Sequence, residues 1–161
     1  MMNPESTTRF GLIRHAETVW NRAKRIQGHQ DSPLTPEGEL QAAAWGRALH
    51  RLRWDRILAS DTGRAVATAE RINIHLGLEV VLDRRLRELD WGRWASRTVA
   101  ELRAEEGALV AQQDRAGWGR APLHGLEPVA VPVPVVPEEI SPISVIDDAV
   151  AVVVQAVSGG G

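Results

Sequence analysis

The chain has 161 residues, a formal net charge of −2 and no cysteine. A chain of this length can form one domain with a buried core, its charge gives no sign of nucleic-acid or membrane binding, and disulfides and thiolate metal sites are excluded. The N-terminal segment lacks a signal-peptide core, and the longest apolar run, residues 149–154, is too short to span a bilayer. We therefore expect a soluble, cytoplasmic protein whose oligomeric state the sequence leaves open.

Three short apolar runs predict β-strands at about residues 9–13, 55–59 and 79–82. Arg14 and His15 follow the first run directly, and Ser60 follows the second. Because ligands of parallel sheets bind beyond the C-terminal ends of strands, these side chains are expected to share one edge of the sheet.

Helical patterns alternate with these strands. Thr35 and Pro36 predict a helix start, and an apolar stripe of Leu40, Ala44, Ala48 and Leu52 carries this helix to about residue 52. A second helix is predicted over residues 63–76 with Gly77 as its C-cap, and a third opens with the capping-box residues Thr98 and Glu101 and runs to about residue 113. The β-α-β-α-β order favours an α/β fold, a mostly parallel sheet with helices on both faces.

The composition changes after Arg120, the last basic residue. The remaining residues contain six of the nine prolines, and those in residues 129–145 exclude a helix or a central strand there. We divide the chain into a domain over residues 1–118 and an atypical Pro/Val-rich tail over residues 119–161. The tail is predicted to be linker-like or disordered, with a possible last element of undetermined type at residues 145–157.

A histidine beside an arginine at a strand end suits phosphoryl transfer. Neutral imidazole is a competent nucleophile near pH 7, and a guanidinium stabilises charge that develops on phosphoryl oxygens. Besides His15 and Arg14, Arg64 in the first turn of the second helix fits this role, and free N–H groups at that helix start would also favour an anion. Glu88, between apolar neighbours, is the candidate proton donor to the leaving oxygen.

Five segments together resemble the signature of the histidine phosphatase superfamily, also called phosphoglycerate mutase-like. The resemblance covers about residues 8–117. It is carried by RHAET followed by WN from residue 14, RIQGHQDSPLTPEG at 25–38, SDTGRAVATAE at 60–70, LRELDWGRW at 86–94 and RTVAELRAE from 97.

The resemblance implies a phosphoglycerate mutase-like fold and a role for each matching residue. His15 would become phosphohistidine, Arg14 and Arg64 would hold the phosphoryl group, and Glu88 would protonate the leaving group. The residues implied to line the phosphate or substrate pocket are Asn21, Gln27, the Gly28 backbone and Ser60. The family uses no metal or organic cofactor for this step, so the implied partner is a small phosphorylated substrate.

One departure concerns a second histidine, which the family carries in a strand-end V-x-HGG motif near its C-terminus. After Glu88 this sequence has only His124, which lacks a preceding apolar strand, so we expect the fold to be incomplete at its C-terminus. The favoured function is phosphomonoester hydrolysis through phosphohistidine, and the alternative is a phosphoglycerate mutase. A third possibility is an inactive phospho-ligand binder or the relic of a frameshift near residues 117–119.

Overall fold

The computed structural model describes residues 7–118 and 152–158. The strands are β1 (Thr7–Ile13), β2 (Arg56–Ala59), β3 (Glu79–Leu82) and β4 (Val152–Ser158), and the helices are α1 (Val19–Arg22), α2 (Pro36–Leu49), α3 (Gly63–Leu76) and α4 (Val99–Ala116). Two 3-10 turns lie at Arg84–Leu86 and Gly92–Trp94. None of the described helices is long and apolar enough to cross a membrane. The three predicted strands and three predicted helices are confirmed, whereas the one-turn helix α1 was not predicted.

The four strands form one sheet in the order β1-β4-β2-β3. β2 pairs with β3 in parallel, while β4 pairs antiparallel with both β1 and β2. β1, β2 and β3 therefore run in one direction, and the predicted α/β class is confirmed. Val152 is level with both Ile13 and Ala59, and Ala59 is level with Leu82. The chain thus leaves all three parallel strands at the same edge of the sheet.

The last predicted element exists, and it is a strand. β4 lies within the predicted window of residues 145–157 except for its last residue, and it occupies the centre of the sheet between β1 and β2. It follows the proline-containing stretch and contains no proline itself, so every residue can donate to the ladder. The rest of the predicted tail, residues 119–151 with His124 and residues 159–161, lies outside the described residues.

Helix α3 packs on the sheet as its sequence pattern predicts. Its start and end agree with the predicted bounds, and Gly77 ends it in the left-handed conformation with φ of 64°, which glycine adopts without steric cost. The stripe of Ala65, Ala69 and Ile72 is fully buried against Ile57 and Ala59 of β2.

The predicted apolar stripe of α2 is wrong as a packing face. Leu40 is 70% exposed, and Ala44 and Ala48 are also exposed. The buried positions are instead Gly38, Ala42 and Gly46. A Cβ atom on Gly46 would lie 2.6 Å from the carbonyl oxygen of Ile72 in α3. The two helices approach so closely that only small residues fit between them, and this contact outweighs the burial of the larger leucine.

Helix α4 packs elsewhere. It begins with the predicted capping box, in which Thr98 and Glu101 exchange side-chain-to-backbone hydrogen bonds. It buries Leu102 and Val110 against Trp91 and Trp94, and this second apolar cluster is separate from that of β2 and α3. α4 therefore supports the loop that carries Glu88.

Candidate active site

The common strand edge brings the predicted catalytic residues into one region. His15 follows β1 by two residues, Ser60 follows β2 directly, and Arg64 lies in the first turn of α3. Glu88 lies in the loop after β3, where its side chain reaches that of Arg64. The predicted meeting of strand-end residues is a consequence of the register.

His15 is buried, with 7% of its surface exposed. Its Nδ1 lies 2.8 Å from the carbonyl oxygen of Ala16. Because a carbonyl oxygen can only accept, Nδ1 carries the proton and Nε2 of the neutral ring carries the lone pair. Burial, with the nearby positive charges of Arg64 and Arg14, lowers the pKa of His15 to about 4, against the opposing effect of the Ala16 hydrogen bond. The ring is therefore neutral, with a nucleophilic Nε2, across the physiological pH range.

Arg64 is the most heavily bonded side chain of the site. Only 3% of its surface is exposed, and its two terminal nitrogens make four hydrogen bonds. Nη1 donates to the Gln30 carbonyl at 2.9 Å and to Asp31 Oδ1 at 2.7 Å. Nη2 donates to the Gly28 carbonyl at 2.8 Å and to Glu88 Oε2 at 3.1 Å.

The Nε–H donor of Arg64 differs from the donors on its two terminal nitrogens. It is buried and has no hydrogen-bond partner in the part of the chain that the structure describes. A buried unpaired donor costs about 1–3 kcal/mol, more when the group is charged. An unpaired donor of this kind is uncommon in native proteins.

The expectation that the start of α3 offers free N–H groups is wrong. The carboxylate of Asp31 accepts hydrogen bonds from the backbone N–H groups of Gly63 at 2.5 Å and Arg64 at 3.3 Å. The N-cap residue, Thr62, makes no side-chain cap bond. Asp31 therefore caps α3 from a distant loop, and the N–H groups of Gly63 and Arg64 are already paired.

Glu88 has polar partners where its sequence neighbours suggested an apolar surround. Its Oε2 accepts from Arg64, its Oε1 accepts from Nε1 of Trp91 at 3.2 Å, and its side chain is 31% exposed. The backbone carbonyl of Glu88 also lies 3.0 Å from Nε2 of His29. The carboxyl group is thus held beside the guanidinium while it stays accessible to water.

Gly28 joins the two sides of the site. Its carbonyl oxygen accepts from Arg64. Its φ is +56°, and a Cβ atom there would lie 2.9 Å from both the Leu89 carbonyl oxygen and Cδ1 of Trp91. Only glycine allows this conformation together with this close approach to the Glu88 loop.

The other predicted pocket residues occupy different places. Asn21 and Gln27 both point at Thr18, whose Oγ1 lies 2.9 Å from Asn21 Oδ1 and 3.0 Å from Gln27 Oε1. Ser60 is buried, with Oγ 3.2 Å from Oγ1 of Thr62. Arg14 is exposed at the end of β1 and acts on His15 through its charge. The structure thus joins Arg64, Glu88 and Gly28 by direct bonds, and a substrate role for Asn21, Gln27 and Ser60 remains a prediction.

Three residues of the site were not predicted from the sequence. Asp31 caps α3 and binds Arg64, and Trp91 donates to Glu88. Thr68 accepts from the Ala16 backbone N–H at 3.0 Å and donates to the Arg64 carbonyl at 2.7 Å, so it ties the His15 segment to α3. The only signal for Asp31 was its place in the Q-G-x-x-D stretch, which gives no partner.

An apolar cavity of about 370 Å³ opens beside Arg14. It lies between the end of β1 and α2, and neither His15, Arg64 nor Glu88 lines it. Among the described residues, the predicted catalytic groups His15, Arg64 and Glu88 lie outside this cavity, and we take them as the candidate site. The lining residues of the cavity are Leu12, Ile13, Arg14, Trp45, Ala48 and Leu49.

Fold and site together define an α/β protein with a histidine, an arginine and a glutamate at the C-terminal edge of its parallel strands. The model of the histidine phosphatase superfamily (branch 1) matches residues 10–131. The chain belongs to this superfamily, which confirms the resemblance of its motifs. The match extends beyond residue 118, and the predicted domain boundary at that position remains a prediction.

Individual relatives carry two kinds of name. A curated protein of Erwinia tasmaniensis named probable phosphoglycerate mutase GpmB is 43% identical over 121 residues, which is 75% of this chain and 52% of that protein. Among solved structures, YhfR of Bacillus stearothermophilus is 36% identical with a TM-score of 0.60, covering 65% of this chain and 52% of its own.

A second solved structure is a mycobacterial glucosyl-3-phosphoglycerate phosphatase in complex with VO₃. It is 35% identical, with a TM-score of 0.62, and the match covers 71% of this chain and 54% of that protein. The present chain spans about half the length of the curated relatives it matches.

Proposed function

We propose that this protein hydrolyses a small phosphorylated metabolite through a phosphohistidine on His15. The observation that carries the proposal is the buried, neutral ring of His15, whose Nδ1–H is bonded to the Ala16 carbonyl and which lies near the positive charges of Arg64 and Arg14. A phosphoryl group at Nε2 would meet both charges. The mycobacterial phosphatase, whose structures hold VO₃ and inorganic phosphate, supports an oxyanion as the ligand.

In the first step Nε2 of His15 attacks phosphorus, and the bond from phosphorus to the leaving oxygen breaks. The Ala16 carbonyl, bonded to Nδ1–H, stabilises the positive charge that the ring gains on phosphorylation. The positive charges of Arg64 and Arg14 stabilise negative charge on the phosphoryl oxygens. Because burial keeps the ring neutral, no proton has to leave His15 before the attack.

Glu88 supplies the proton for the leaving oxygen. Once ionised, its carboxylate accepts hydrogen bonds from Arg64 and Trp91, as the structure shows it. In the second step water attacks phosphorus, the phosphorus–nitrogen bond breaks, and Glu88 takes the proton from the water. This returns both residues to their starting states.

A phosphoglycerate mutase is the second candidate, favoured by the names of the curated relatives. The two reactions share the phosphohistidine and differ in the acceptor. A hydrolase passes the phosphoryl group to water, while a mutase passes it to a hydroxyl of a bound phosphoglycerate.

Hydrolysis of a generic aryl phosphate between about pH 5 and 8 tests the proposal, with phosphorylated intermediate measured by intact-protein mass spectrometry. His15→Ala should remove both turnover and the phosphoryl adduct. His50→Ala, at the exposed C-cap of α2, is the matched control and should change neither.

The outcomes separate the candidates. Interconversion of phosphoglycerates that outpaces their hydrolysis would favour the mutase. Turnover that persists in His15→Ala would contradict the phosphohistidine. A folded protein that binds vanadate without turnover would instead be a phospho-ligand binder.

A further inference from the structure

We propose that Asp31 is the positioning residue of the site, which holds the Arg64 guanidinium and the start of α3 with one carboxylate. Its Oδ1 accepts from Arg64 Nη1 at 2.7 Å, and its Oδ2 accepts from the Gly63 backbone N–H at 2.5 Å. Side chain and helix start are therefore fixed to each other, which holds the guanidinium charge in place at the site. The effect of Asp31 on catalytic activity rests on the proposed function.

The other partners of Arg64 cannot supply this link. The Gly28 and Gln30 carbonyls belong to the same loop as Asp31 and make no described bond to α3 other than to Arg64 itself. Glu88 must gain and lose a proton in the proposed reaction, so its ion pair with Arg64 changes during turnover. Asp31 is the carboxylate that can stay paired throughout, since its second oxygen is already bound to the helix.

Two substitutions separate positioning from simple capping. Asp31→Asn keeps one oxygen that can accept from the Gly63 N–H, but it removes the charge opposite Arg64. Asp31→Ala removes both. A purely structural role would leave Asp31→Asn active, and a positioning role would not.

Asp61→Asn is a matched control. Asp61 lies at the same edge of the sheet and accepts from Arg87 at 2.5 and 2.6 Å, and its side chain is 30% exposed compared with 33% for Asp31. Its partner is an exposed arginine, and exposed pairs of this kind contribute little. Asp61→Asn therefore measures the effect of removing a carboxylate at this edge of the sheet while the bonds of Arg64 stay unchanged.

The experiment measures kcat and KM on an aryl phosphate, inhibition by vanadate and the thermal unfolding midpoint of the full chain. We expect Asp31→Asn to lower kcat/KM about 10- to 100-fold, the range for a hydrogen bond to a charged group. Vanadate inhibition should weaken in parallel, and the unfolding midpoint should fall less than in Asp31→Ala, which loses both bonds. Asp61→Asn should change kcat/KM less than about threefold, because a solvated ion pair contributes little.

A second readout does not depend on turnover. The buried Nε–H of Arg64 should give a slowly exchanging ¹⁵N–¹H NMR signal, assigned by its loss in Arg64→Lys. Asp31→Asn should speed its exchange with water, and Asp61→Asn should not. Unchanged exchange in Asp31→Asn, or equal loss of kcat/KM in both variants, would overturn the inference. If the protein shows no turnover but Asp31→Asn still speeds the exchange of the Arg64 Nε–H, the positioning role holds and the proposed hydrolase is refuted.

Discussion

The site has two halves that are held differently. The nucleophile half lies at the ends of regular strands and the start of a helix, and it consists of His15, Ser60 and Arg64. The acid half lies in a loop and consists of Glu88 with Trp91 and Trp94. The first half is anchored by a register that sets the ends of β1, β2 and β3 level. The second has two 3-10 turns and no ladder. Both halves bring their side chains to the same site, the first through strand register and the second through packing of the loop.

Aromatic packing replaces the ladder in the acid half. The rings of Trp91, Trp94 and Trp118 have centroids 5.3 to 6.4 Å apart, and α4 covers them with Leu102 and Val110. The core behind the nucleophile half contains no buried aromatic residue among those described and consists of Ile57, Ala59, Ala65, Ala69 and Ile72. A sheet edge needs little bulk to fix its residues, while an irregular loop needs large buried side chains to stay in one conformation.

The largest effect expected from the acid half alone is on the rate. Glu88→Gln keeps hydrogen-bonding oxygen and size but loses the acidic proton, so kcat for phosphate esters with poor leaving groups should fall about 10²- to 10⁴-fold. Esters with good leaving groups need less protonation and should lose less. The slope of rate against leaving-group pKa, compared with that of the unsubstituted protein, measures this. An equal loss for every ester would mean that Glu88 acts only through Arg64.

Removing the centre of the tryptophan cluster should unfold the acid half most readily. Trp94 is fully buried, so Trp94→Ala should lower the free energy of unfolding by about 3–5 kcal/mol. Urea unfolding measures the change, with Leu40→Ala on the exposed face of α2 as a control that should stay within about 0.5 kcal/mol. A loss below about 1 kcal/mol would show that the cluster does not hold the loop.

In the nucleophile half, His15 should make the free energy of unfolding depend on pH. The pKa of His15 falls from 6.5 to about 4 on folding, so the unfolded chain binds a proton in this range and the folded one does not. The free energy of unfolding therefore reaches its full value above pH 6.5 with respect to His15, and it falls by about 3 kcal/mol as the pH is lowered to 4. Unfolding of the unsubstituted protein and His15→Gln between pH 4 and 7 isolates this change, because the other titrating groups cancel. Parallel curves for the two proteins would contradict a buried neutral His15.

The contact between the halves should give the smallest effect. Gly28→Ala places a Cβ against Leu89 and Trp91 in a left-handed conformation, which should cost about 1–3 kcal/mol. Gly77→Ala is the matched control, since Gly77 has φ of +64° with no atom within 4 Å of an added Cβ, so it reports strain alone. Only Gly28→Ala should also lower kcat/KM. Equal stability loss with unchanged activity in both variants would show that the halves are not coupled through Gly28.

Much of the fold was predictable because its signals are local. Thr35, Thr98 and Gly77 cap helices as their residue types require, and the strands follow from short apolar runs. The face of α2 was not predictable, since it depends on how closely α3 approaches Gly46. The place of β4 was equally hidden, because an apolar run of this length does not specify which strands it will pair with.

The sequence by itself determined the superfamily, through a histidine, two arginines and a glutamate at strand and loop positions that match it. Residue type and spacing suffice for that, because each role needs a particular functional group. Only the tertiary structure decided which nitrogen of His15 carries the lone pair, how far its pKa falls and which donor of Arg64 has no partner among the described residues. Those properties arise from burial and from bonds between distant residues, such as the pair of Asp31 and Arg64, 33 positions apart in the chain, and no local pattern encodes them.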